Sequence, residues 1–165
     1  KFGDAIYLAK IETKYWIEYI CKRFENTGKH ISPELAEEIC RLVDNHSSYV
    51  QQLSWLLWIR TINTATTEQL SYALEDLLDQ NNILFQSETE NLSAYQMNFL
   101  KAIVDGIHTK FSSKEVISKY NLGTSANIVR LKNALLQKEL IETNGKEIVL
   151  ADPVFGVWFK KEMLY

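Results

Sequence analysis

The sequence predicts a mainly α protein, a four-helix bundle followed by a winged helix-turn-helix domain with a small β-hairpin. Three observations carry this. Apolar residues recur at helical spacing through most of the chain, in stretches opened by hydroxyl or acidic caps. A polar run at 86–91, QSETEN, breaks that pattern and separates a first unit at 1–88 from a second at 91–165. Asn144-Gly145 then stands between two short apolar segments, the strongest short-range hairpin signal, because a two-residue type I′ loop needs positive φ at both central positions.

Residues 5–11, AIYLAKI, read as a short strand or extended entry segment. A helix over about 12–26 follows, with Trp16, Ile17, Ile20 and Phe24 on one face and Gly28 beyond its end. Ser32-Pro33-Glu34 starts the next: a hydroxyl cap, proline at the first helical position, and an acid near the positive dipole end. Its face is Leu35, Ile39, Leu42 and Val43. The third helix, about 48–62, is apolar almost all round after Leu53, so two of its faces need cover. Either it is the central helix of the bundle, or Trp55, Leu56, Trp58 and Ile59 form a docking surface for a further domain. Thr66 and Gln69 make a capping box for the fourth helix, whose Leu70, Leu74, Leu77 and Leu78 face inward until Asn81-Asn82 stops it.

Ser93 and Gln96 make a second capping box, with Leu92 and Met97 as its hydrophobic staple. The helix runs to about Ile107 on a stripe of Leu100, Ile103, Val104 and Ile107. Ser112 or Ser113 caps a short helix through Lys119 that carries Val116 and Ile117. Asn121-Leu122-Gly123-Thr124 forms a turn, and a longer helix spans about 125–138 with Ile128, Leu131 and Leu135 as its core stripe. Two helices, a Gly-containing turn, a helix and a hairpin give the winged helix-turn-helix order. Asp152-Pro153 caps a closing helix, and Leu140, Ile148 and Leu150 should face the helices with Phe155 and Trp158 folded over them.

A hydrophobic content of 46% and a charged content of 24% suit a globular chain with a real core. The apolar run Trp55–Ile59 is far too short to span a bilayer, so no membrane partner is expected. No charged-then-apolar leader opens the chain, and Cys21 and Cys40 sit inside helical patterns as small buried hydrophobes, which fits a reducing cytoplasm. The first residue is Lys1, which points to an excised portion of a longer protein. Charge is uneven: residues 1–91 carry 8 Lys/Arg against 14 Asp/Glu, residues 92–165 carry 10 against 7, and the net is −3.

Catalytic chemistry is not visible. No G-x-x-x-x-G-K-[ST] loop occurs, and Gly145-Lys146 lies in the hairpin turn before Glu147. His30, His46 and His108 have no helix-spaced metal partner. Glu37-Glu38 and Asp76–Asp79 read as solvated helix faces. The chain by itself is therefore expected to be neither an enzyme nor a holder of metal or cofactor.

The wing raises the question of nucleic acid. Opposite the core stripe of the helix at 125–138 lie Ala126, Val129, Arg130, Asn133 and Gln137. Arg130, Asn133 and Gln137 are the candidates for reading bases, and Lys114, Lys119 and Lys146 for phosphates. Against them stand Glu142 and Glu147 on the wing and a pI of 5.7, well below that of a basic nucleic-acid module.

The chain resembles the C-terminal half of AAA+/STAND-like ATPases of the archaeal-type or prokaryotic group. FGDAIYLAKI looks like the exit from a P-loop core, and YWIEYICKRFENTGKHISPELAEEICRLV like the first helices of a helical lid. LSAYQMNFLKAI, YNLGTSANIVRLKNALLQKELIE and VLADPVFGVWFKK look like that family's winged helix. The resemblance implies an all-α lid-like unit whose position follows nucleotide state in the missing P-loop core, with the winged helix relaying it. ATP and Mg would belong to that core. The stretch Asn45–Gln51 matches the lid turn that faces nucleotide in the family, but it lacks the usual Gly-x-Pro or arginine, leaving His46 and Ser48 as its nearest sensing candidates. The reading that follows is a regulatory, partner-docking region of a P-loop ATPase, its partners being the missing core and a further protein. A DNA-binding winged-helix regulator and a structural interaction module are the alternatives.

Overall fold

The computed structural model describes residues 10–163, so the strand expected at 5–11 falls almost wholly outside the described residues. The chain divides into two compact units, the first ending at Asp79 and the second beginning at Gln80.

The first unit holds α1 (Thr13–Glu25), α2 (Pro33–Leu42), α3 (Ser47–Arg60) and the first half of α4 (Thr67–Glu90). Its caps form as the residues dictate. Ser32 accepts from the Leu35 N–H at 3.1 Å with Pro33 behind it. Thr66 and Gln69 exchange bonds of 3.0 and 3.2 Å at the start of α4. Trp16, Ile20 and Phe24 of α1 meet Leu35, Ile39 and Cys40 of α2 and Val50, Leu53 and Leu57 of α3 in one core. Two loops are pinned together by a parallel bridge: the His30 N–H donates to Asn63 O, and the Ala65 N–H to His30 O, both at 2.8 Å. Cys40 is buried and its thiol is pushed up to about 11 by that burial; Cys21 is raised too, by burial first and then by Glu25.

One expectation fails here. Asn81-Asn82 does not end the fourth helix, and 86–91 is not a loop: α4 continues to Glu90. The division between units therefore lies inside a helix, about six residues before the polar run. Asparagine costs a helix interior only about 0.7 kcal/mol relative to alanine, and tertiary contacts outweigh it. The Asn82 side chain accepts from the Trp158 indole N–H at 2.8 Å, and Phe85 is buried against Phe155 and Trp158, with ring centroids 5.4 and 5.6 Å away. Thr89, one helical turn on, returns its hydroxyl to Phe85 O at 3.1 Å.

The second unit is a winged helix. It consists of α5 (Ala94–Val104), α6 (Lys114–Tyr120), α7 (Ser125–Gln137), β1 (Ile141–Asn144), β2 (Glu147–Leu150) and α8 (Pro153–Met163) after the end of α4. The Ser93/Gln96 capping box is complete, and Ser113, not Ser112, caps α6. Asn121 closes α6 in the left-handed region, φ 49°. Asn127 then holds the turn by donating to Leu122 O at 3.1 Å. Asp152 caps α8 through one carboxylate oxygen, 2.8 and 3.1 Å from the Val154 and Phe155 amides.

The hairpin is shifted by one residue from the expected one. Asn144 pairs with Glu147, so the two-residue loop is Gly145-Lys146, and only Gly145 has positive φ, 61°. Glycine at the first central position is the type II′ preference, which also matches the twist of the strands. Leu140, Ile141 and Ile148 are buried as the core edge of the wing, Leu150 is half-buried, and Phe155, Trp158 and Phe159 lie over them. A Cβ on Gly156 would meet Leu150 Cδ1 at 2.7 Å, so α8 lies tight on β2. His108 grips the other side of that strand: its carbonyl accepts from the Ile148 N–H at 2.9 Å, and its Nδ1 donates to Ile148 O at 3.1 Å.

Candidate functional site

The apolar helix α3 resolves into two faces. Val50, Leu53, Leu56 and Leu57 are buried. Leu56, at 6% exposure, is thus a core residue and not the docking residue expected of it. Trp55 and Ile59 turn outward with exposures of 57% and 51%, and Trp58 is half-buried. The helix period explains the split, since Trp55 and Ile59 lie at i and i+4 while Leu53 and Leu57 sit on the opposite side. What the sequence did not reveal is that α1 completes this surface. Tyr19 and Arg23 of α1, and Thr27 in the turn after it, face Gln51, Ser54, Trp55 and Trp58 of α3 across a groove of about 520 Å³, with Ile20 and Phe24 at its base. A second hollow of about 340 Å³, lined by Ile11, Tyr15, Trp16, Tyr19 and Gln51, shares Tyr19 and Gln51 with the first.

Several contacts hold the groove walls in place. The Trp58 indole N–H donates to the Thr27 hydroxyl at 2.9 Å. The Lys29 ammonium lies 3.9 Å from the Trp58 ring centroid and donates to Trp58 O at 2.7 Å. The Arg23 guanidinium sits 5.1 Å from the Tyr19 ring centroid. These side chains need little further ordering to meet a partner.

The nucleotide-sensing candidates are placed otherwise. His46 is the N-cap residue of α3 without a side-chain capping bond, and its ring lies 4.8 Å from that of Tyr49. Ser48, two residues on, accepts from the side chain of Gln52, one turn further along, at 2.8 Å. Both are engaged with their own helix.

The candidate nucleic-acid residues are all exposed: Arg130, Asn133 and Gln137 along α7, Lys114 and Lys119 at the two ends of α6, and Lys146 in the wing turn. Their surroundings weaken the set as a phosphate binder. Val129, 62% exposed, shares the α7 face. Lys119 has its pKa raised by Tyr120 first, with the carboxylates of Asp105 and Glu115 adding to it. Lys146 is followed by the exposed Glu147. Among the described residues no three His, Cys, Asp or Glu side chains gather to hold a metal ion, and no helix is long and apolar enough to cross a membrane.

A family model described as a probable winged helix domain matches residues 83–161, from the second half of α4 into α8. No curated protein sequence matches the chain. Among solved structures, a Walker-type ATPase of Pyrococcus abyssi is similar, with a TM-score of 0.67 at 18% identity. The likeness covers 92% of this chain but 42% of the ATPase, so the chain spans about two fifths of that protein's length. At this identity the likeness establishes a shared fold, and it extends over the helical unit as well as the winged helix.

Proposed function

We propose that this chain is a non-catalytic, partner-docking region of a P-loop ATPase, in which the helical unit responds to nucleotide state and the winged helix relays that response. The observation that carries the reading is the fold match running through both units to a Walker-type ATPase more than twice as long. The exposed aromatic groove adds a surface for docking. ATP and Mg belong to the core, since no phosphate-cradling loop exists in these 165 residues. His46 and Ser48 serve α3 in this reading, and any sensing is by movement of the whole unit.

Two measurements test it. The coding sequence upstream of Lys1 should encode a strand, a G-x-x-x-x-G-K-[ST] loop and a helix; an upstream region without one would overturn the assignment. Calorimetric titration of the 165-residue chain with Mg-ATP should show no saturable binding, and micromolar affinity would place a nucleotide site in the wrong part of the protein.

The rival is a DNA reader, favoured by the exposed Arg130, Asn133 and Gln137 along one side of α7. The mixed charge around Lys119 and Lys146 argues for weak, nonspecific binding only. Submicromolar, sequence-selective binding of duplex DNA at physiological salt would promote the rival. In that event Arg130→Ala with Lys146→Ala should lower both affinity and its salt dependence.

A further inference from the structure

The groove between α1 and α3 has a chemistry that its apolar content alone does not convey. Of the residues lining the groove and the adjoining hollow, none is Asp or Glu, and α3 carries no carboxylate along its whole length. Beside them lie Arg23 in the lining, Lys29 over Trp58 and Lys14 over Tyr15, the last paired with Glu12 at 2.8 Å. Yet residues 10–79 as a whole carry 7 Lys/Arg against 11 Asp/Glu. An acidic unit has kept one strip free of acid and edged it with positive charge, where its aromatic side chains are most exposed. Exposed apolar patches of this kind mark interaction sites, and charge of one sign around them selects the partner.

Trp16 adds an independent observation at the Ile11–Tyr15 end. It lines the adjoining hollow, is 5% exposed, and among the described residues its indole N–H meets no acceptor. A buried donor left this way costs roughly 1–3 kcal/mol, so an acceptor brought by a partner would be well received there. The dimensions also fit one kind of partner. From Tyr15 to Glu25, the last residue of the helix, the α1 wall runs about 15 Å at 1.5 Å per residue, which is the length of about three helical turns.

We infer that this groove binds an amphipathic helix of a separate polypeptide, one that sets an apolar stripe between Tyr19, Trp55 and Trp58 and carries carboxylates along its edge toward Arg23 and Lys29. This names the partner chemistry for the docking role proposed above. The two readings fail separately. An upstream region without a P-loop leaves the groove's charge preference untouched, and a groove that binds nothing leaves the ATPase assignment standing.

The test uses the whole 165-residue chain and two labelled synthetic helical peptides. Both carry Leu or Phe at i, i+4 and i+7; one has Glu at the flanking positions and the other Lys. Fluorescence anisotropy should show the Glu peptide binding at least about tenfold more tightly than the Lys peptide. Trp55→Ala, at an exposed site, should weaken the Glu peptide about tenfold, and Arg23→Glu should shift the preference toward the Lys peptide, both with unchanged circular dichroism melts. Equal affinity for the two peptides, no binding, or insensitivity to Arg23→Glu would overturn the inference. So would self-association in the ultracentrifuge that Trp55→Ala abolishes, which would assign the face to a second copy. Binding that appears only after removal of residues 1–9 would assign it to that segment.

Discussion

Trp158→Ala should destabilise the winged helix by ~3–5 kcal/mol, the usual cost of removing a buried large aromatic. Trp158 is 1% exposed and its ring lies 5.6 Å from Phe85 and 5.8 Å from Phe155, centroid to centroid. The substitution opens a void at the meeting point of α4 and α8 and takes the donor away from Asn82. A domain of this size has about 5–15 kcal/mol of stability in all, so the second unit should melt far lower or fail to fold. Trp158→Phe, which keeps most of the ring packing and loses only the N–H and the larger ring, should fall between. Lys146→Ala, in the exposed turn, should stay within about 0.5 kcal/mol of the unsubstituted chain. Hydrogen exchange confined to residues 80–165 would read these effects. A Trp158→Ala chain as protected as the original would show that α8 does not close this core.

In the helical unit the contrast lies within a single helix. Leu57→Ala, at a fully buried site, should cost ~2–5 kcal/mol, whereas Trp55→Ala, two residues away and 57% exposed, should change the melting temperature little. Thermal melts followed by far-ultraviolet circular dichroism would separate them. If Trp55→Ala destabilised the unit as much as Leu57→Ala, Trp55 would be part of the core and the outward face of α3 would lose its meaning as a docking surface.

The starts of elements were legible in the residues because caps are local. Ser32, Thr66, Ser93, Ser113 and Asp152 each need only an amide three residues or fewer away. The winged-helix order followed from those starts. Ends were less legible, since they depend on what packs nearby. α4 outran Asn81-Asn82 because Phe85 and Asn82 have partners on α8, some seventy residues later in the chain. The hairpin slipped by one residue because Gly145 alone can supply the positive φ when the loop is type II′. For the candidate site, α3 showed that it was apolar all round but not which side would be covered. That choice is made by α1 and α2, and the groove needed Tyr19, Arg23 and Trp58 brought together from segments about 35 residues apart.

The grip of His108 on Ile148 has a consequence for how the wing meets other chains. A two-stranded hairpin offers its free edges as templates on which any extended peptide, including another copy of the same hairpin, can add itself as a strand. In β2 the outward amide and carbonyl at Ile148 are already taken, by the backbone and imidazole of one residue. A strand approaching from that side finds its central pair of hydrogen bonds occupied. The wing is thereby guarded against edge-to-edge aggregation on one flank, by a histidine whose value lies in blocking a contact.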